Sequence, residues 1–167
     1  MVLIGTNEII KVGIADLKFA KSPEVLRTSG LGSCVGVVVY DLTMKIAGMS
    51  HVMLPNSSLS KRSDLNQLKY ADTALPILID YLLKEGARKY ALKAKIAGGA
   101  QMFAFSSSND MLRVGKRNEE AVKIMLEQYR IPLISEDVGG SSGRTIEFSL
   151  ETGMLNIRTV NSGEKQI

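Results

Sequence analysis

The chain has 167 residues, of which 45% are apolar and 23% are charged, and it carries a net charge of +4. This composition is typical of one globular domain, which we expect to span 1–167 with its core at about 8–160, and not of a low-complexity chain. A single cysteine excludes an internal disulfide, and no stretch approaches the roughly 20 apolar residues of a membrane span.

The N-terminal residues lack the basic and apolar regions of a signal peptide, so we expect a cytoplasmic protein with no direct membrane insertion. Lysines and arginines are scattered along the chain, and aromatic residues do not alternate with them. No nucleic-acid motif is present. The charge pattern therefore argues against nucleic-acid binding and leaves an acidic protein as the partner that it favours.

The first part of the chain has the periodicity of β-strands. Alternating apolar and polar residues predict one or two strands over 8–20 and a short strand over 25–28. Two β-rich runs follow, over 34–40 and 46–54, and the polar residues between them predict a β-hairpin. Both runs are apolar on both faces, which is typical of strands in the middle of a covered sheet.

The register of this hairpin matters for function. If its loop is 41–44, Tyr40 pairs with Lys45 and Cys34 stands opposite His51. Directly opposed residues on antiparallel strands have Cβ atoms roughly 4.5–5.5 Å apart, which brings a thiol–imidazole hydrogen bond within reach. A shift of one residue would send one of the two side chains to the other face.

The rest of the chain predicts two helices and several further strands. The helices are expected over 70–85, with Asp72 or Thr73 as cap and Pro76 in the first turn, and over 118–129, with Asn118 as N-cap. Strands are predicted over 92–97 and 131–138, a second hairpin over 145–150 and 154–160, polar loops over 56–66 and 105–110, and a loose tail over 161–167. We therefore expect an α/β (α+β) fold in which a mixed sheet or sandwich is covered by helices.

Cys34 and His51 are the chain's one cysteine and one histidine, and they have the residue types of a nucleophile and its base. Alternatively, Cys34 is a small buried apolar residue and His51 an imidazole bonded to backbone groups. Cys34 follows Gly32 and Ser33 at the start of a strand, which favours an exposed thiol and backbone N–H. No acidic residue near the pair shows ligand spacing, so we expect neither a metal nor another cofactor.

Other polar and glycine positions each have two interpretations. The Thr28 hydroxyl can orient the imidazole, or Thr28 is simply a β-branched strand residue. Gly98 and Gly99 either permit the close approach of a substrate or form a plain turn, and they lack the spacing of a phosphate-binding loop. The acidic residues of the segment 136–140 are candidate acids, although a solvated strand end explains them as well.

Seven short motifs also occur in a fixed order between about residues 8 and 160. They are GLGSC at 30–34, HVMLP at 51–55, KYADTA at 69–74, KIAGGA at 95–100, GKRN at 115–118, EDVGG at 136–140 and RTI at 144–146. In this order they closely resemble the CheD family, the chemoreceptor glutamine deamidases of bacterial and archaeal chemotaxis. The polar loop 56–67 and the stretch 103–114 depart from the family pattern, which leaves details of partner binding open.

The resemblance implies a fold and a site. The fold is a three-layer sandwich of mixed sheets with helices on the outside, related to the catalytic domain of the glutamine-deamidating cytotoxic necrotizing factor toxins. The site is a Cys-His-Thr arrangement that carries over onto Cys34, His51 and Thr28. Residues expected to support the substrate and the oxyanion are Gly32, Ser33, Gly98, Gly99 and Asn118.

The resemblance also implies an activity, namely hydrolysis of receptor glutamine side chains to glutamate and ammonia. Its implied partners are the cytoplasmic helices of chemoreceptors and the CheC phosphatase of the response regulator. Two other functions stay open on sequence alone: a non-catalytic adaptor that binds CheC and receptors, and a methylesterase that acts on receptor glutamates with the same nucleophile.

Overall fold

The computed structural model describes residues 8–60, 66–102, 113–160 and 162–167. These residues form ten strands and two α-helices. In chain order the strands are β1 Ile9–Val12, β2 Leu17–Lys21, β3 Val25–Leu31, β4 Val35–Asp41, β5 Ile46–Val52, β6 Lys93–Gly98, β7 Leu133–Val138, β8 Arg144–Ser149, β9 Met154–Thr159 and β10 Gly163–Gln166. The helices are α1, Ala71–Lys84, and α2, Val114–Gln128, and short 3₁₀ turns lie at Ser57–Leu59 and Lys89–Ala91.

The strands form two five-stranded mixed sheets. The outer sheet has the order β1-β3-β8-β9-β10, and the central sheet has the order β2-β5-β4-β6-β7. One apolar core, which includes Leu26, Met49 and Ile146, fills the space between the sheets. A second core, which includes Leu75 and Val122, lies between the central sheet and the two helices. The predicted three-layer α/β sandwich is thus confirmed, with both helices on one side.

The predicted hairpin is β4 and β5, and the central placement of β4 is confirmed, but its predicted register is wrong. The loop comprises residues 42–45, so Tyr40 pairs with Ala47 and Gly36, not Cys34, pairs with His51. The shift has a local cause, because the Asp41 carboxylate accepts hydrogen bonds from the backbone N–H groups of the loop at 3.1 and 3.2 Å. Each residue of β4 pairs two residues further along β5 than predicted. Because side chains alternate between faces with a period of two residues, Cys34 and His51 stay on the same face of the sheet.

Helix α2 begins four residues earlier than predicted, whereas α1 keeps its predicted range to within one residue but has neither of its predicted caps. Tyr70 precedes α1 without a side-chain cap, Pro76 lies inside the helix, and the Asp72 carboxylate instead accepts two hydrogen bonds from Ser57. Asn118 lies inside α2 and is fully buried. Its amide donates hydrogen bonds to carbonyls of two loops that are distant in the sequence. Tertiary contacts therefore use the polar side chains that the sequence pattern assigned to helix caps.

The end of the chain is not the loose tail that the sequence predicted. Strand β10 pairs with β9, and Ile167 exchanges two backbone hydrogen bonds with Leu155 at 3.0 Å. The side chains of β10 are all exposed, so backbone pairing rather than apolar burial forms this strand. The expected polar loop 105–110 lies outside the described residues, as do 61–65 of the first loop. Within the described ranges, no helix is both long and apolar enough to cross a membrane.

Candidate active site

His51 lies on β5, between the two sheets, and its side chain is fully buried. Thr28, on β3 of the outer sheet, is 2% exposed and points towards it across the gap. The Thr28 Oγ1 and His51 Nδ1 atoms are 2.7 Å apart. Thr28 and His51, which the sequence proposed as orienting hydroxyl and imidazole, are therefore in direct contact from opposite layers of the sandwich.

The contacts of the Thr28 hydroxyl determine which nitrogen of His51 carries the proton. Its one hydrogen is donated to the backbone carbonyl of Val12 at 2.8 Å. The hydroxyl oxygen must then accept a hydrogen bond from Nδ1–H of the imidazole. Nε2 is consequently the unprotonated nitrogen, and it is buried without a hydrogen-bond partner in the described part of the chain. An imidazole in this state presents a lone pair that can take a proton.

Cys34 lies in the loop between β3 and β4, on the face of the central sheet that carries His51, and its side chain is partly exposed. Extending the β4–β5 register by one residue puts it diagonal to His51, a relation in which Cα atoms are roughly 7–8 Å apart. Burial raises the pKa of the Cys34 thiol, although a hydrogen bond from its own backbone N–H lowers it.

Burial also lowers the pKa of His51. The thiol pKa is raised and the imidazole pKa is lowered, so both groups are uncharged at neutral pH. The pair is thus suited to proton transfer from thiol to imidazole during a reaction rather than to a permanent thiolate–imidazolium pair.

The turn at Gly98 and Gly99 packs directly against the Cys34 loop. The Gly99 N–H donates to the carbonyl of Cys34 at 2.8 Å. A Cβ on Gly98, whose φ is +118°, would come within 2.2 Å of the same oxygen, so only glycine fits there. The group that approaches these glycines closely is the backbone of Cys34, and the approach of a substrate stays a prediction.

Arg144 holds this turn from its other side. Its guanidinium donates to the carbonyls of Gly98 at 3.2 Å and Gly139 at 2.9 Å, and to the Asp137 carboxylate at 3.1 Å. Burial raises the pKa of Asp137, but hydrogen bonds and charges from Lys165 and Arg144 outweigh this and hold it below its usual range. Asp137 is therefore an ionised structural partner of Arg144 and not the candidate acid that the sequence suggested.

The expected support residues all lie around Cys34, but most of their donors are already engaged. The N–H of Gly32 donates to the carbonyl of Gly30 at 3.1 Å, and the carbonyl of Gly32 accepts from Ala100 at 2.8 Å. The Asn118 amide donates to the carbonyls of Ser33 and Met53, both at 2.9 Å. Gly32, Gly99 and Asn118 therefore hold the loop in place, and they do not offer free donors to an oxyanion.

Gly36 was not singled out from the sequence, although it stands directly opposite His51. A Cβ there would come within 2.5 Å of the Ile146 side chain, so the missing side chain lets the outer sheet pack close beside the imidazole. Its only sequence signal was a glycine inside an apolar strand. In the described ranges, no group of three His, Cys, Asp or Glu side chains is arranged to hold a metal ion.

Comparison with known proteins gives a consistent set of similarities. The profile of the family described as CheD chemotactic sensory transduction matches residues 53–159. The chain is 59% identical over 161 residues to the chemoreceptor glutamine deamidase CheD of Halalkalibacterium halodurans. The aligned region covers 96% of this chain and 99% of that protein. It is 59% identical over 159 residues to the protein of the same name from Bacillus subtilis, which covers 95% and 96%. These two similarities extend over the segment from Thr28 to His51, which the profile match does not include.

Proposed function

The chain belongs to the CheD family, and we propose that it hydrolyses the side-chain amides of specific chemoreceptor glutamines through a thioester on Cys34. The observation that carries this proposal is the hydrogen bond between Thr28 and His51. This hydrogen bond leaves Nε2 of His51 unprotonated and without a hydrogen-bond partner among the described residues, on the face of the central sheet that carries Cys34. The family names the substrate, and the geometry supports the residue roles.

In the first step the Cys34 sulfur attacks the carboxamide carbon of the glutamine. His51 Nε2 takes the thiol proton as the carbon–sulfur bond forms, and the carbonyl π electrons move to the oxygen. The imidazolium then gives this proton to the nitrogen, the carbon–nitrogen bond breaks and ammonia leaves. The remaining species is a thioester between Cys34 and the former glutamine side chain.

In the second step water attacks the thioester. His51 removes a proton from the water, the carbon–sulfur bond breaks, and the proton returns to the sulfur. The product is a glutamate side chain, which adds one negative charge to the receptor. In both steps the Thr28 hydroxyl keeps the imidazole in the tautomer that leaves Nε2 free.

Each tetrahedral intermediate carries an oxyanion, and the N–H of Cys34 is the donor that the geometry favours for it. This N–H belongs to the residue whose sulfur carries the intermediate. The neighbouring N–H groups of Gly32 and Gly99 are engaged with backbone carbonyls. One such donor is worth roughly 3–4 kcal/mol of transition-state stabilisation.

The remaining expectations belong to the same proposal. The protein works in the cytoplasm, on the cytoplasmic helices of chemoreceptors, and CheC is its regulatory partner. What supports CheC as a partner is the family resemblance alone. An adaptor without catalysis and a glutamate methylesterase are the functions that the test must separate from deamidation.

The test is mass spectrometry of a purified chemoreceptor cytoplasmic fragment after incubation with the protein, with ammonia and methanol release measured in parallel. Because Cys34 is the one cysteine in the sequence, enzyme alkylated with iodoacetamide is a site-specific control. A gain of about 1 Da at defined glutamines with ammonia release, absent from the control, supports the proposal. Methanol release from methylated receptors would indicate an esterase, and CheC binding without turnover would indicate an adaptor.

Thr28→Val keeps the shape of the side chain and removes its hydroxyl. We expect kcat to fall by about 100-fold or more, because general acid–base catalysis contributes roughly 10²–10⁴ and depends on the correct tautomer. The measurement is initial-rate deamidation, with thermal unfolding to check the fold. Thr28→Ser retains the hydroxyl and should recover most of the rate, whereas a T28V variant with the wild-type kcat would contradict the tautomer argument.

The pH dependence of kcat/KM should reflect the two shifted groups. Only neutral His51 can accept the proton, so activity is lost as pH falls through the His51 pKa. Since burial lowers this pKa, we expect the acid limb below pH 6.5. The rate of Cys34 alkylation should keep rising to above pH 9.0, because burial raises the thiol pKa. An acid limb above pH 6.5, or a plateau of alkylation near neutrality, would indicate a thiolate–imidazolium pair instead.

A further inference from the structure

Asn118, on helix α2, is hydrogen-bonded to both chain segments that form the candidate site. It lies in the second turn of α2 and is fully buried. Its amide nitrogen donates to the carbonyl of Ser33, next to Cys34, and to the carbonyl of Met53, two residues after His51. Both donor hydrogens are therefore used, and each holds one of the chain segments that carry the proposed nucleophile and base.

The orientation of this amide is determined by its surroundings. Rotating it by half a turn would put the amide oxygen against two carbonyl oxygens. In the observed orientation the oxygen is buried and has no hydrogen-bond partner among the described residues. A buried acceptor without a donor costs free energy of folding. The two donated hydrogen bonds must offset this cost for asparagine to be favourable at this position.

The bond to Ser33 has a direct effect on the oxyanion donor. The Ser33–Cys34 peptide is trans, since a cis bond occurs only at Ser22–Pro23 among the described residues. In a planar trans peptide the C=O of one residue and the N–H of the next point in opposite directions. Holding the Ser33 carbonyl therefore aims the Cys34 N–H away from α2 and towards the space between the sheets, where the Cys34 side chain packs.

We propose that Asn118 is a positioning residue that keeps the Cys34 N–H aimed at the oxyanion and holds the Cys34 loop in register with the His51 strand. It touches neither the substrate nor the reacting atoms. The proposal rests on Cys34 being the nucleophile, but it requires no particular receptor as substrate. Its effect should appear in reactions of Cys34 that pass through an oxyanion and should be absent from those that do not.

Two reagents separate these cases on the same thiol. Acylation by p-nitrophenyl acetate passes through a tetrahedral oxyanion, forms a thioester and releases p-nitrophenol. Alkylation by iodoacetamide displaces iodide at a saturated carbon and forms no oxyanion. In Asn118→Ala we expect the acylation rate to fall about tenfold or more while the alkylation rate changes by less than about threefold. The kcat for deamidation should fall with acylation, and KM should change little.

The matched control is Val122→Ala, one turn further along α2 in the core beneath the central sheet. It removes two methyl groups from this core and leaves both hydrogen bonds of Asn118 in place, so its acylation and alkylation rates should both match wild type. If N118A does not fold, Asn118→Ser is a neutral alternative that keeps one hydroxyl donor but removes the two amide hydrogen bonds, and it should show the same selective loss. Equal losses in both reactions, or none, would overturn the positioning role. Failure of the wild type to deamidate any receptor would leave these acylation results unchanged and would count only against the proposed substrate.

Discussion

Replacing Cys34 with alanine should abolish deamidation and leave the protein folded. No other cysteine is present to substitute for the nucleophile. We expect kcat to fall by roughly 10⁴–10⁶, as when the nucleophile of a catalytic triad is removed. The thiol is small and partly exposed, so its loss should change the unfolding temperature little. The measurement is the initial rate of ammonia release from a receptor fragment, with thermal unfolding recorded on the same samples.

Cys34→Ser is the matched control for this prediction. It keeps a side chain of similar size with a far less acidic hydroxyl, so it should be as inactive as C34A. Binding of receptor fragment by both variants would show that only chemistry has been lost. Full activity in C34A would exclude Cys34 as the nucleophile.

Replacing His51 with alanine should lower kcat by roughly 10³–10⁴, the upper range for loss of a general base. The reason is the raised pKa of the thiol, which leaves very little thiolate at neutral pH when no base is present. The measurement is kcat at neutral pH under saturating receptor fragment. A variant within tenfold of wild type would refute the role of His51 as base.

The control for this variant uses pH, because its defect is one of proton transfer. At a pH above the thiol pKa, Cys34 is ionised without assistance, so His51→Ala should be alkylated at nearly the wild-type rate. His51 is also buried against Thr28, and its removal should lower the unfolding temperature. A defect in alkylation that persists at high pH would mean that the Cys34 loop itself has moved.

Short-range patterns predicted a sheet or sandwich covered by helices and put Cys34 and His51 on neighbouring strands, whereas the three layers were implied by the family resemblance. The apolar runs around Cys34 and His51 identified a covered hairpin, and the two-residue period of a strand kept both side chains on one face even though the register was wrong. The error arose because Asp41 binds the loop backbone and also the side chain of Arg88, at 3.1 Å, far along the chain. No local pattern indicates that contact.

Local sequence patterns could not predict the roles of residues whose hydrogen-bond partners are far away along the chain. Asn118 has a typical helix-cap residue type, yet its partners are 65 and 85 residues away along the chain. Arg144 and Asp137 stood inside recognised motifs, but the Arg144 guanidinium reaches both the Asp137 carboxylate and the Gly98 carbonyl only when the two sheets are in place. Thr28 had two interpretations from its place before Cys34, and the family resemblance favoured the functional one, because a threonine in a strand is more often a plain β-branched residue.

The uncharged thiol and imidazole described above bear on how long the protein survives in a cell. Peroxide and other oxidants react with thiolates far more readily than with thiols, and the later products of that oxidation are irreversible. A cysteine that is ionised only while a glutamine is being attacked exposes little thiolate between turnovers. We therefore expect the resting protein to react slowly with peroxide, for the same reason that the proposed attack needs His51 as base.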